Sequence, residues 1–373
     1  MKKIISFITA ALMMLSLAGC NDDSKNAADW RIVSVWDTLE REKNGGFQTD
    51  TYSSLSFVDF STMEQSPICD DPTCKHESGS CNSYGKDNHP FLYNDKLYYI
   101  KETDIYQEND EMLRDTQLWR SDINGANEKQ IAEIKGRAYS KDEQMLVFGD
   151  TAYMCMNIYN YDENNDEIEG NIQIISCNLE SGEITNYGEV LSGYNISAQV
   201  YGLWDNKMIF STARPPENLP YMERMAKYAE ENNLTADEAF AAFVSEYIFE
   251  YYQFDLDTGE ISECEYPEPQ AISPYYYYYL DGDKLMYLDT EGEEHEIEGI
   301  EGEYDYMTPV NGYSVINDDS TTYLFNEAEQ ELIKLNGRYS VYGIYEDNVI
   351  IDIIDNDTGT SHFEKRPISE LEA

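Results

Sequence analysis

One local pattern recurs along most of this chain and restricts its fold more than any other feature. A polar pair is followed by a short apolar strand-like run. A second run then ends in an Asp- or Asn-led turn. The pair-plus-run appears six times, as Asn94-Asp95-Lys96-Leu97-Tyr98-Tyr99, Gly149-Asp150-Thr151-Ala152-Tyr153-Met154, Asp205-Asn206-Lys207-Met208-Ile209-Phe210, Gly282-Asp283-Lys284-Leu285-Met286-Tyr287, Asn311-Gly312-Tyr313-Ser314-Val315-Ile316 and Glu346-Asp347-Asn348-Val349-Ile350-Ile351. The Gly45-Gly46-Phe47 region is a degenerate seventh copy. The turns begin at Asp59, Asp122, Asn178, Asp255, Asp289, Asn326 and Asp355. Asp and Asn close such turns through their own side chains, and Gly supplies positive φ. Short strands repeating every few tens of residues are the mark of a β-propeller, one repeat to a blade. The expectation is an all-β propeller of seven blades, with six or eight as neighbouring counts. A two-sheet sandwich would also give alternating strands, but not the same order of pair, strand and turn six times over.

Between Arg214 and Tyr252 the apolar period changes from two to about 3.6, the helical repeat. Pro215 and Pro216 stop the strand, and 219–232 reads as a helix with Met222, Met225, Ala226 and Ala229 on one side. Thr235-Ala236-Asp237-Glu238 starts a second helix with a capping box. Its apolar stripe is Ala239, Phe240, Phe243, Val244, Tyr247 and Ile248. A helical hairpin over 215–250 is expected, inserted in the third blade.

The amino end reads differently. Lys2 and Lys3 precede an apolar run from Ile4 to Leu15, then Leu17-Ala18-Gly19-Cys20 and a polar stretch. A charged start, a short apolar core and small residues before a cut form a secretory signal, and the run is too short for a membrane span. With Cys20 directly after Leu-Ala-Gly, the segment resembles a bacterial lipoprotein signal. That resemblance implies cleavage before Cys20, a lipid on its sulfur and an acylated amino end. The expected division is 1–19 signal peptide, 20–29 lipidated cysteine and tether, and 30–373 propeller. The protein would sit on the cell membrane, facing away from the cytoplasm.

Charge narrows the partners. The chain has 73 Asp and Glu against 25 Lys and Arg, a net charge of −48. Such an excess opposes nucleic acid and anionic headgroups, so attachment falls to acyl chains. The 32 Tyr suit half-buried strands, with a ring to bury and a hydroxyl for the wet edge.

Cys69, Cys74, His76 and Cys81 are the strongest chemical motif. Three thiols and an imidazole so close in sequence can make a tetrahedral structural zinc site with all four positions filled by protein. A disulfide between two of the cysteines is the alternative in an oxidising compartment, and free thiols a third. The same segment, Cys-x-x-Pro-x-Cys-x-His-x4-Cys behind a lipoprotein signal, is similar to a group of uncharacterised surface lipoproteins of anaerobic bacteria. The resemblance implies propeller repeats and no particular reaction. Cys155, Cys177 and Cys264 read as small buried hydrophobes. Asp162-x-Asn164-x-Asp166 lacks the glycine and the final glutamate of a calcium loop and reads as an acidic hairpin tip. The acidic run 291–305 around His295 reads as a solvated edge.

Catalytic motifs are thin. With four His, and no Gly-x-Ser-x-Gly or phosphate-binding loop, the residues favour no serine hydrolase or nucleotide enzyme, while 73 acidic residues leave carboxylate pairs for glycoside cleavage open. The expectation is a binding or scaffolding module without catalysis, its ligand an unknown envelope protein or glycan. The alternatives are an envelope glycan- or peptide-binding module with ligand at the propeller mouth, and a glycan hydrolase or lyase on the same fold.

Overall fold

The computed structural model describes residues 30–373 apart from 35–40, 43, 50–53, 77–78, 87–88, 107–111, 135–136, 139–143, 162–166, 236–237, 239–246, 301–303 and 355–360. The signal, Cys20, the tether, the acidic tip at 162–166, the seventh turn and most of the expected second helix lie outside the described residues.

Seven antiparallel sheets follow one another along the chain as the blades of a β-propeller. Blades 1, 2, 4, 5 and 6 have four strands in sequence order, here a to d from the axis outward. Blade 1 runs from Arg41–Glu42 to Gln65–Pro67, blade 2 from Phe91–Tyr93 to Lys129–Ile134, and blade 4 from Ser197–Trp204 to Ile261–Glu263. Blade 5 runs from Pro269–Ile272 to Glu294–Glu296, and blade 6 from Tyr304–Val310 to Glu331–Lys334. Blade 3 begins at Gln144–Phe148 and ends at Ile184–Gly193, while blade 7 has three strands, Val341–Tyr345, Asn348–Ile354 and Ser361–Pro367. The expected seven blades are present. The degenerate Gly45 copy forms a blade of its own.

Five of the six polar pairs are the turn between strands a and b, while Gly282-Asp283 joins b to c in blade 5. Asn94 and Asp95, and likewise Asp205 and Asn206, both have positive φ, as a two-residue turn matched to strand twist requires. Six of the Asp/Asn turns join c to d. In five of them the lead side chain accepts from amides ahead, as Asp59 does from Ser61 and Thr62 at 2.7 and 3.2 Å, Asn178 from Glu180 and Ser181 at 3.1 and 2.8 Å, and Asp255 from Asp257 and Thr258 at 3.0 and 2.8 Å. The a–b and c–d turns share one face of the propeller, since Leu179 N donates to Asp150 O and Leu256 N to Asn206 O. The b–c connections emerge on the opposite face.

Among the described residues blade 1 and blade 7 share no strand, and side chains join them. The Phe60 ring meets Tyr342 edge-on at 5.4 Å, Lys365 Nζ donates to Phe60 O at 3.0 Å, and Tyr342 Oη donates to Phe47 O at 3.3 Å.

An extra strand, Trp30–Ser34, precedes blade 1 and pairs antiparallel with the innermost strand of blade 3, Trp30 opposite Phe148 and Ser34 opposite Gln144. Its side chains reach several blades. Trp30 packs on the clusters of Val200 and Phe210 in blade 4 and of Ile272 and Tyr277 in blade 5. Val33 joins Phe91 of blade 2 in another cluster, and the Arg31 guanidinium stands 5.5 Å over the Phe91 ring. A strand that touches blades 2 to 5 from the inner edge of one of them lies in the central channel. Gly202 shows how tightly it fits, because a Cβ there would lie 2.5 Å from the Trp30 ring.

The insertion belongs to blade 4, between Lys207–Arg214 and Ile248–Asp255, and not to the third blade. The shift follows from the Gly45 copy being a full blade. Helix Tyr221–Asn232 starts after Pro220 and stops at Asn233, whose φ of 54° is left-handed. Arg224 is buried on it, 5.5 Å over the Tyr247 ring, while Ala226 faces solvent. The capping box forms: Thr235 N donates to Glu238 Oε2 at 2.9 Å and Glu238 N to Thr235 Oγ1 at 3.3 Å. Ile248 opens a strand and does not extend a helical stripe, so the insertion ends at 247.

Candidate metal centre

Outer strands in this ring support their neighbours. The c–d turns of blades 3 and 4 lean on the last strand of the blade before them: a Cβ on Gly182 of blade 3 would lie 2.2 Å from Ile131 O of blade 2, and one on Gly259 of blade 4 would lie 2.9 Å from the Tyr187 ring of blade 3. At the junction of blades 1 and 2 the contact falls beyond the last strand of blade 1, Gln65–Pro67. The segment that follows, carrying the Cys and His motif, takes that place. A Cβ on Gly125 of blade 2 would lie 2.0 Å from Asn82 O, and Asn124 Nδ2 donates to Asp70 Oδ2 at 3.0 Å. On the other side Leu55 N donates to Ser83 O at 2.8 Å, and Ile68 N to Leu55 O at 3.1 Å. The motif thus forms a clamp at the junction of blades 1 and 2.

Local chemistry shapes the loop. Asp71 Oδ1 accepts from the amide and hydroxyl of Thr73, both at 2.8 Å, and Cys74 N donates to Asp71 O at 3.1 Å, closing a turn on Pro72. These hydrogen bonds from Thr73 lower the Asp71 carboxyl. His76 has a φ of 59°, uncommon for a residue with a Cβ. That backbone sends its ring back to the cysteines, with Nδ1 3.3 Å from Cys81 Sγ and the His76 amide 3.4 Å from Cys74 Sγ. The ligand atoms of Cys69, Cys74, His76 and Cys81 all lie within 4.8 Å of one another. Cys69 and Cys81 are buried, and the other two are half-buried. Tetrahedral zinc, bonded at about 2.3 Å to sulfur and about 2.0 Å to nitrogen, needs donors a little under 4 Å apart. Shifts of about 1 Å would bring this group to that geometry, so its donors fit.

The thiols are unequal. Burial raises the Cys81 thiol, but hydrogen bonds from the Ser83 hydroxyl and amide, His76 and Cys74 outweigh it and bring it down to about 6. Ser83 Oγ is 2.9 Å from the Cys81 sulfur. Burial pushes Cys69 up to about 11, with Cys81 adding to the effect. None of the six cysteines among the described residues is joined in a disulfide. Of the other three, Cys177 is fully buried, while Cys155 and Cys264 are half-buried beside apolar clusters.

Two further groups were not legible as sites. Lys86, Lys101, Tyr99, Trp119 and Glu128 meet beside the clamp. Lys86 Nζ is 3.1 Å and Lys101 Nζ 2.5 Å from one oxygen of Glu128, which also accepts from the Tyr99 hydroxyl. Lys101 Nζ stands 4.4 Å over the Trp119 ring. Burial opposes the Glu128 charge, but Lys101, Tyr99 and Lys86 outweigh it and bring the carboxyl to about 2. On the turn face, Asp289, Glu293 and His295 bring ligand atoms within 4.8 Å, with His295 Nε2 3.0 Å from Asp289 Oδ2. The expected solvated edge at 291–305 thus holds a local hydrogen-bonded group.

No family model matches the sequence, and no curated protein matches it. Among solved structures, the chain is similar to an oligogalacturonate lyase in complex with manganese, with 10% identity, TM-score 0.47 and 91% of each chain covered. It is similar to an oligogalacturonate lyase from Vibrio parahaemolyticus, with 10% identity, TM-score 0.46, 93% of this chain and 94% of that one. A third is the β-propeller domain of the Trilobed protease from Pyrococcus furiosus, with 11% identity, TM-score 0.39, 87% of this chain and 92% of that one. At such identity the likeness shows the propeller fold alone. It nevertheless corrects one expectation. Propellers of this kind occur among enzymes, so the expectation of a chain without catalysis is withdrawn.

Proposed function

We propose that the protein is a lipid-anchored propeller of the cell envelope that presents a binding surface outside the membrane, its first blade clamped by zinc. The observation that carries the clamp is the convergence of four donors in the segment that meets the c–d turn of blade 2. Cys69, Cys74, His76 and Cys81 would hold the ion, which supplies cross-linking and no open position for chemistry. Elemental analysis of protein purified without reductant should find one equivalent of zinc. A strong chelator and His76→Ala should each lower the melting temperature, because metal bound only by the folded chain adds to folding stability. A disulfide within the motif together with absent metal would refute the clamp. Anchoring rests on the Leu17-Ala18-Gly19-Cys20 sequence: Cys20→Ala should move the protein from the detergent phase to the aqueous phase or block its processing.

A second reading, a glycan as ligand or substrate, draws support from the Lys86, Lys101, Tyr99, Trp119 and Glu128 group. In a chain with net charge −48, the accessible Lys101 over the Trp119 ring, with the buried Lys86 sharing its Glu128 partner, offers a cation and an aromatic face to an acidic sugar. Titration with oligogalacturonate and with a neutral oligosaccharide, followed by assay for cleavage, tests it. Lys101→Ala should weaken binding of the acidic sugar alone, and equal or absent binding of both sugars would count against it.

A further inference from the structure

The axial strand Trp30–Ser34 has a direction, and the direction bears on how the molecule sits on a membrane. Trp30 lies opposite Phe148 and Ser34 opposite Gln144. Phe148 leads into the Gly149-Asp150 turn, so Trp30 stands at the face where the a–b and c–d turns gather. The chain before Trp30 therefore enters the propeller on its axis, through the turn face. Helix Tyr221–Asn232 joins strands b and c of blade 4 and so lies on the opposite face.

We infer that the turn face is the membrane-facing side of the propeller and that the face bearing the helical insertion points outward. The inference rests on the lipid anchor at Cys20 proposed above. The partner of the turn face is a lipid surface. Ten peptide units from Cys20 to Trp30 span at most about 35 Å. To lay the opposite face on the bilayer, the tether would have to run from the axis to the rim and down the side. In blade 3 the axial strand and strands a to d lie side by side, which places the rim about 19 Å from the axis at about 4.8 Å per strand. The eight-residue strands flanking the insertion add about 26 Å of height at about 3.3 Å per residue. That path is about 45 Å, longer than the tether reaches. The inner packing of Trp30, with its ring against Gly202 and Ile272, fixes the exit point.

Charge decides how closely the face approaches. Asp95, Asp150, Asp205 and Asp347 all stand in its a–b turns. Their repulsion from anionic headgroups acts over a screening length of about 8 Å at physiological salt. The face therefore hovers over the bilayer and does not adhere to it.

Native lysines report the orientation without any substitution. Lys96 follows an a–b turn on the turn face, with its side chain 44% exposed, whereas Lys284 follows the b–c turn of blade 5 and Lys227 lies on the helix, both on the opposite face and 58% and 43% exposed. Full-length lipidated protein is placed in vesicles of phosphatidylcholine and phosphatidylethanolamine. A long amine-to-amine cross-linker is added, and lipid-modified peptides are mapped by mass spectrometry. Lys96 should carry headgroup adducts several-fold more often than Lys227 and Lys284. Flotation of the same sample reads the anchor separately. Protein that fails to float overturns the anchor and the orientation with it. Protein that floats yet joins lipid at Lys227 and Lys284 as often as at Lys96 overturns the orientation and leaves the anchor standing.

Discussion

The junction of blades 2 and 3 and that of blades 5 and 6 are built from the same turn, and they differ at its second residue. In blade 3 the turn is Asn178-Leu179-Glu180-Ser181-Gly182, and in blade 6 it is Asn326-Glu327-Ala328-Glu329-Gln330. The backbone work is alike. Tyr98 Oη donates to Leu179 O at 3.1 Å, and Tyr276 Oη donates to Glu327 O at 2.8 Å. The second side chain plugs the junction in both. Leu179 is fully buried among apolar residues, including Tyr98, Met145 and Val147. Glu327 is 3% exposed, and its Oε1 accepts from Tyr278 Oη and Ser314 Oγ, both at 2.9 Å. Burial raises the Glu327 carboxyl above its ordinary range, with Ser314, Tyr278 and Ser273 pulling the other way. One shape is filled once by hydrocarbon and once by a carboxyl in a cage of hydroxyls. Only the second makes its junction sensitive to pH.

The largest effect is expected where the plug is apolar. Leu179→Ala leaves a cavity between packed blades and should cost about 2–5 kcal/mol by denaturant unfolding. A loss below about 1 kcal/mol would mean that the junction collapses around the gap and that the two plugs are not comparable. Glu327→Ala should cost less, about 1–3 kcal/mol, mainly through the hydroxyls of Tyr278 and Ser314 left without an acceptor.

The last residue of the turn separates the junctions again. Gly182 has a φ of 75° and no room for a Cβ, whereas Gln330 adopts a φ of 55° and donates from Nε2 to Tyr276 Oη at 3.1 Å. Gly182→Ala should therefore lower stability by about 1–3 kcal/mol, the range for overpacking. Gln330→Gly should change it by less than about 1 kcal/mol. Equal losses would show that backbone conformation, and not blade contact, selects glycine at 182.

The finest test is the pH dependence of Glu327→Gln. A carboxyl with a raised folded pKa holds its proton more tightly folded than unfolded. Its stabilising contribution is full below the ordinary glutamate value and is lost as pH rises through the raised folded value. Melting temperatures recorded from acid to neutral pH should fall for the natural protein relative to the Gln variant as pH rises. Parallel curves would show that the carboxyl does not titrate in the junction.

Much of the fold was legible because its signals are local. The Asn94-Asp95 and Asp205-Asn206 pairs need positive φ wherever they stand, and the Asp59, Asn178 and Asp255 side chains reach amides two and three residues ahead. Those contacts form within a few residues and repeat with each blade. The Cys69, Cys74, His76 and Cys81 group was legible for the same reason. The clamp's position was not, since it depends on Gly125 and Asn124 of the next blade. Nor did the insertion's place in blade 4 follow, because the Gly45-Gly46-Phe47 copy gives a weak turn signal and still completes a blade.

Strand order, turn chemistry and the number of repeats were set by the sequence itself, through side chains acting on their own backbone. Tertiary structure alone decided which polar residues went inside. Glu327 reads as one more acidic turn residue until Tyr276 and Tyr278, about fifty residues earlier in the chain, close over it. Trp30–Ser34 carries no sign in its five residues that it will fill a channel. That placement comes from the inner edges of blades 2 to 5, whose apolar side chains leave water only when a strand lies between them.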